Sequence, residues 1–390
     1  MSERRWLYAA FVTARVTGLW ALAACGSDGS GPNPDPGDQP LVGGLHAAAN
    51  TTCASIEGEG TAFCWGANEF GQVGDGTTTD RLKPTPVPAA PLFSAPFPGD
   101  HTCAYDPAGL YCWGRNLAGE VGVGTTDSVK APALVTGGLV FYQVVVGDDF
   151  SCGTTNSGIY CWGANDFGQL GTGQPGGSAV PVPVADNPGV GALAAGGHTV
   201  CGVGASGQVF CWGNGADGEL GNGQFGVTAT TPTPVSGNLQ FQDVAIGANA
   251  AGQATVCAHT QTASYCWGKN TDGEIGDGTT ERKNVPTAVL GLGTAQIAPG
   301  GSHTCARASE VNVYCWGKGG RLGTGTTQGS LTPVRVAGGH LFAALWSGRD
   351  HTCGRSDDEP SRAFCWGDNA RGQLGDGTRT ARLSPTLVLF

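Results

Sequence analysis

Methionine is nearly absent from this chain, with one residue in 390, and lysine is scarce. The long flexible side chains that favour helices are therefore few. Charge is thin as well, with Asp, Glu, Lys and Arg making up 13%. In their place stand 68 Gly and 23 Pro, residues that interrupt helices. This composition excludes a mostly helical protein and points to short strands joined by Gly-rich turns. Disorder is excluded in turn, because 40% of the residues are hydrophobic and ten are Trp. Reaction motifs are also missing. There is no Walker loop, nucleophile elbow, His-Glu-x-x-His pair or dinucleotide fingerprint. The seven His and many Asp show no spacing that singles out a triad, and the sequence implies no cofactor and no metal.

The apolar stretch Val16 to Ala24 is too short to span a bilayer as a helix, which takes about 20 residues. It follows Arg4 and Arg5 and runs into Leu22-Ala23-Ala24-Cys25-Gly26-Ser27. That segment resembles a bacterial lipobox, which implies a signal peptide over 1–24 and lipidation of Cys25. An ordinary cleaved signal peptide with an incidental Cys is the alternative. Residues 25–40, rich in Gly, Pro and Asp, read as a flexible tether. The expected location is an exported, lipid-anchored position in a bacterial cell envelope.

Cys-Trp-Gly occurs seven times, at Cys64, Cys112, Cys161, Cys211, Cys266, Cys315 and Cys365, in steps of 48, 49, 50, 55, 49 and 50 residues. Each unit carries an apolar stretch ending in Gly, a His-Thr-Cys-like stretch, Tyr/Phe-Cys-Trp-Gly, Asn-x-x-Gly-Gln-Leu-Gly, a variable loop and a Pro-Thr-Pro-Val-like stretch. Four short strands per unit is the content of one propeller blade. The pattern is similar to the regulator of chromosome condensation repeat, and the resemblance covers nearly all of residues 41–390. It implies an all-β, seven-bladed β-propeller of four-stranded antiparallel blades. A Pro/Val stretch follows every unit and none precedes the first. We therefore expect the C-terminal strand to close the ring by completing the blade begun near Leu41–Ala49.

Apart from Cys25, the cysteines fall two per unit: Cys53/Cys64, Cys103/Cys112, Cys152/Cys161, Cys201/Cys211, Cys257/Cys266, Cys305/Cys315 and Cys353/Cys365. Facing positions across a hairpin suit a disulfide, and export permits one. Zinc is the competing reading, since His-x-Cys plus Cys offers three ligands in the units with His101, His198, His303 and His351. Free buried thiols are a third.

The seven Cys-Trp-Gly tryptophans read as packing between blades rather than an aromatic cage. Asp75-Gly76-Thr77, Asp277-Gly278-Thr279 and Asp376-Gly377-Thr378 read as plain turns rather than Ca²⁺ loops. Trp346 reads as core. Variation concentrates at the two positions inside the Asn-x-x-Gly turn. The candidate ligand-face residues are therefore Glu69, Phe70, Asp166, Phe167, Asp217, Asp272 and Arg371. Five extra residues around Ala248–Ala254 form a second candidate contact loop, and Phe225 a weaker one.

The net charge of −11 argues against a nucleic-acid partner and favours basic ones. The leading expectation is a noncatalytic monomer that binds another protein or an envelope polymer through propeller-face loops. The resemblance implies two precedents for binding: nucleotide exchange on a small GTPase in eukaryotes, and β-lactamase inhibition by secreted bacterial relatives. The alternative from another class is a carbohydrate-active propeller enzyme, which needs convergent carboxylates.

Overall fold

In a computed structural model of the chain, the residues described are 40–390 apart from 59, 89–92, 95, 309–311 and 358–359. The expected signal peptide, Cys25 and the tether up to residue 39 lie outside them. The described residues form twenty-seven strands, numbered here in chain order. The first blade is β1 (Val42–Ala48), β2 (Thr51–Ile56), β3 (Ala62–Gly66) and β4 (Arg81–Pro86), an antiparallel meander continuous in sequence. The same order recurs around a ring of seven blades.

The local sequence explains each strand's place. The innermost strands line the central channel. The second strands, such as Thr51–Ile56, are buried almost throughout. The outermost strands carry the prolines, Pro84 and Pro86 in β4 among them, and every third residue or so is exposed. Proline removes a donor from the ladder, so an edge strand is where it can be accepted. The second blade departs for the same reason. Pro96 and Pro98 flank Phe97, and only an isolated bridge between Phe97 and Cys103 stands in the place of the innermost strand.

In every blade the two cysteines face each other across the second and third strands. All seven expected pairs are disulfides, with Cα atoms 4.0–4.1 Å apart. Their sulfurs are thereby withdrawn from the competing zinc reading.

Closure takes a form the sequence did not suggest. The last strand, β27 (Arg382–Leu387), pairs with β26 (Ala363–Gly367) of its own blade, and the first blade has its own fourth strand. The expected exchange of a strand into the blade begun near residues 41–49 is therefore corrected. The C-terminal segment still helps close the ring, by packing: Val388 joins one buried cluster with Leu45 and Trp65 of the first blade. The first and last units each own four strands, so the last has none left over to lend.

The joints between blades repeat. Each Cys-Trp-Gly tryptophan is fully buried. In six of seven, the indole N–H donates to the carbonyl of the Gln or Glu in the preceding blade's Gly-Gln-Leu-Gly turn, at 2.7–3.1 Å. The ring lies flush against that turn's second glycine. A Cβ on Gly74, for example, would fall 2.5 Å from Trp113 Nε1, and its φ of +82° also suits glycine. Packing, not a cage, is what these tryptophans do.

Candidate functional site

The meander sorts the loops onto two faces. One, the turn face, carries the turn between the first two strands of each blade and the Asn-x-x-Gly loops between the last two. The other carries the hairpin tips and the links between blades. All seven candidate ligand-face residues therefore stand on the turn face, together with the 249–253 loop.

A buried asparagine pins most of these loops. Asn68 Oδ1 accepts from Val73 N at 2.9 Å while its Nδ2 donates to Thr79 O at 3.0 Å. Asn116, Asn165, Asn270 and Asn369 repeat the arrangement. The fourth unit has Gly215 at this position, and there backbone pairing of Gly215 with Val227 takes over the task. The next fixed residue, Gln or Glu, turns back to accept the N–H two residues earlier, as Gln72 does from Phe70 and Glu120 from Ala118.

Between these pins the candidates separate. Glu69 and Arg371 hold each other at 2.6 Å across the joint of the seventh and first blades, and Arg371 also reaches Asp80 at 3.3 Å. Asp217 accepts from Arg282 at 3.0 Å and from Gln253 of the extra loop at 2.8 Å. Asp272 lies 4.0 Å from Lys269 Nζ. Phe167 stacks on His198 with ring centroids 4.8 Å apart. Burial acts to lower the pKa of His198, but its bond to Asp149 and the charges of Asp149, Asp148 and Asp166 raise it above the usual value. Asp166 is exposed and Phe70 half-buried. Phe225 is 40% exposed, with the Arg282 guanidinium 4.7 Å over its ring.

Other sequence readings resolve here as well. The Asp-Gly-Thr carboxylates are consumed by their own turns. Asp75 accepts from Thr77 N and Oγ1 at 3.0 and 2.8 Å and from Arg81. Burial would raise its pKa, but these bonds and the Arg81 charge hold it below the usual value. His101, His303 and His351 are fully buried and reach into the next blade, to Ser151, Thr352 and Thr52, at 2.6, 2.7 and 2.9 Å. Burial is the main cause that pushes their pKa values down, to about 3, 3 and 4. His198 does not share their position. Thr199 occupies that register, because the fourth unit reads His-Thr-Val-Cys.

Arg349 escaped sequence reasoning. It lies at the axial mouth of the turn face and spans to Asp100 and Asp148, in two other blades, at 3.4 and 3.5 Å. Leu117, in the second blade's turn, is 61% exposed. Among the described residues, no group of three or more His, Cys, Asp or Glu is placed to hold a metal ion.

The regulator of chromosome condensation (RCC1) repeat is recognised at residues 59–97, 108–153, 156–203, 206–251, 264–307 and 361–390. The chain belongs to that family. A human relative, the E3 ubiquitin-protein ligase HERC2, is 34% identical over 154 residues, which is 37% of this chain and 3% of that protein. The ultraviolet-B receptor UVR8 of Arabidopsis thaliana is 34% identical over 131 residues, 32% of this chain and 29% of the receptor. In both cases the chain matches less than a third of the relative's length. Among solved structures, human WBSCR16 superposes with a TM-score of 0.74 at 22% identity, covering 85% of this chain and 94% of that one. Yeast RCC1 (Prp20) gives 0.74 at 18% identity, covering 97% and 91%. At these identities the likeness is one of fold.

Proposed function

We propose that this RCC1-repeat propeller is an exported binding scaffold, held to a bacterial envelope membrane through Cys25, that recognises a protein through the loops of its turn face. One observation carries the binding reading. The repeated residues are consumed by the frame, whereas the positions that vary stand side by side on one face between fixed pins. Yeast RCC1 has been solved bound to Kap60, and Prp20p is described with binding to Gsp1p and histones. Those precedents favour a protein over an envelope polymer as the partner class. Seven buried disulfides suit an oxidising compartment, which supports export. The mechanism is multivalent contact by a rigid disc and requires no bond to be broken.

The experiment compares the full chain with a Phe70→Ala/Leu117→Ala/Asp166→Ala variant of equal melting temperature in pull-downs from envelope extracts, alongside a glycan array. Saturable capture of one protein, lost in the variant, supports the reading. Equal capture by both chains, or binding on the array alone, overturns it. The anchor is tested separately: Cys25→Ser should abolish incorporation of labelled fatty acid and release the protein from membranes.

A further inference from the structure

The innermost strands enclose a channel of about 380 Å³ along the propeller axis, within the size range of small-molecule sites. Its walls are unequal. The position that pairs with the first cysteine of each blade is Trp346, His46 and Phe97 in the seventh, first and second blades. In the fourth, fifth and sixth blades the same position is Ala194, Ala245 and Ala298. His46 stacks on Phe97 at 4.5 Å and meets Trp346 edge-on at 5.4 Å. Three aromatic rings thus form one side of the channel, and three methyl groups leave the other side open. At the turn face, the Arg349 bridge to Asp100 and Asp148 crosses the mouth. The opposite mouth carries Asp243, whose side chain is 46% exposed and meets His259 Nδ1 through Oδ1 at 2.7 Å, with Gln296 beside it. At the two mouths three carboxylates stand against one guanidinium, shared by Asp100 and Asp148, and the His259 imidazole beside Asp243.

We propose that this channel is a binding site for a small aromatic amine. Its ring would lie against Trp346, His46 and Phe97 in the space the alanines leave, and its ammonium group would point to Asp243. Apolar walls with a few placed polar groups favour such a ligand. The excess of carboxylates and the aromatic faces both favour a cation over an anion.

The test is calorimetric titration of the full chain with tryptamine, and with indole-3-acetate, which carries the same ring and the opposite charge. Saturable tryptamine binding is expected, with indole-3-acetate at least tenfold weaker. Asp243→Asn should weaken tryptamine about tenfold and leave neutral 3-methylindole unchanged. Trp346→Ala should weaken both, and Ala245→Leu, which fills the open side, should abolish both. Melting temperatures report whether each variant folds, and Asp243→Asn, on a half-exposed side chain, preserves the test if the channel variants do not. The proposal is overturned by an absence of saturable binding to the unmodified chain, by equal affinity for the two charged probes, or by binding that Asp243→Asn leaves unchanged.

Discussion

Trp65 of the first blade donates its indole N–H to the backbone carbonyl of Gln373 in the seventh, 308 residues away in sequence, at 3.0 Å. This is the bond that joins most other neighbouring blades. The ring-closing joint is therefore chemically one joint among equals, and no special latch is needed. The exception lies one joint back. Trp366 Nε1 is buried without a hydrogen-bond partner among the described residues, although its ring still packs on Gly323. The sixth unit is two residues shorter in its turn, with Lys318-Gly319-Gly320-Arg321 replacing the usual run that supplies the accepting Gln or Glu carbonyl. Trp65→Phe and Trp366→Phe lose similar ring volume, but only the first also gives up a made hydrogen bond. We expect Trp65→Phe to cost about 1 kcal/mol more than Trp366→Phe in denaturant unfolding. Equal costs would show that the indole bond contributes nothing net.

The end of the chain is part of that joint. Val388 is 1% exposed, and Phe390 packs edge-on against Phe63 and Trp65 at 5.7 and 5.9 Å. Deleting residues 384–390 removes both side chains and four of the six residues of the last strand. Burial of one Val and one Phe stabilises by roughly 3–6 kcal/mol together. The truncated chain should melt lower by more than about 6 °C, as read by circular dichroism. An unchanged transition would mean that closure rests elsewhere.

Each disulfide closes a short loop between adjacent strands, with sulfurs buried away from solvent. Replacing Cys103 and Cys112 together by Ala should cost about 2–3 kcal/mol, visible as a lower urea midpoint. The native chain should leave all fourteen propeller cysteines unalkylated, and reduction after denaturation should expose all of them. Alkylation of these cysteines in the native state, before any reductant, would contradict the pairing.

The frame was legible in the sequence because the same residue recurs wherever the same joint recurs. Cys-Trp-Gly could be read as a packing element from its seven copies alone. Pairs between units were not legible. Glu69 and Arg371 both looked like free ligand-face residues, and only the ring brings the first and last units close enough for them to bond. Arg349 belongs to one unit and repeats nowhere, so nothing in the pattern marked it. The displaced His198 was within reach, since its extra residue before Cys201 can be counted. The strand-exchange expectation failed because the Pro/Val stretch of each unit pairs within that unit, a choice of partner that spacing does not encode.

A charge pattern in the sequence also carries a stability prediction. Glu120 and Glu274 are fully buried, and each is met by a cation five residues upstream, Arg115 and Lys269. Glu219 occupies the same turn position and is equally buried, but Asn214 stands five residues before it. Its carboxylate accepts Asp217 N at 2.7 Å, and no cation pairs with it among the described residues. Burial, reinforced by the Asp217 charge, outweighs that bond and pushes the carboxyl from its usual 4.5 up to about 7. Between those two values the folded chain holds the proton while the unfolded chain has released it, so stability falls as pH rises through the window. Buried His101, His303 and His351 act in the opposite sense, losing stability as pH falls below their usual 6.5. They are common to the native chain and a Glu219→Gln variant, so the difference between the two isolates Glu219. Glutamine fits the turn, since Gln72 and Gln373 hold the same place in the first and seventh blades. Glu219→Gln should therefore raise the melting temperature at pH 8 by several degrees, on the order of 2–3 kcal/mol, and by little at pH 4.5. A gain of equal size at both pH values would place the cause in packing rather than in the buried charge.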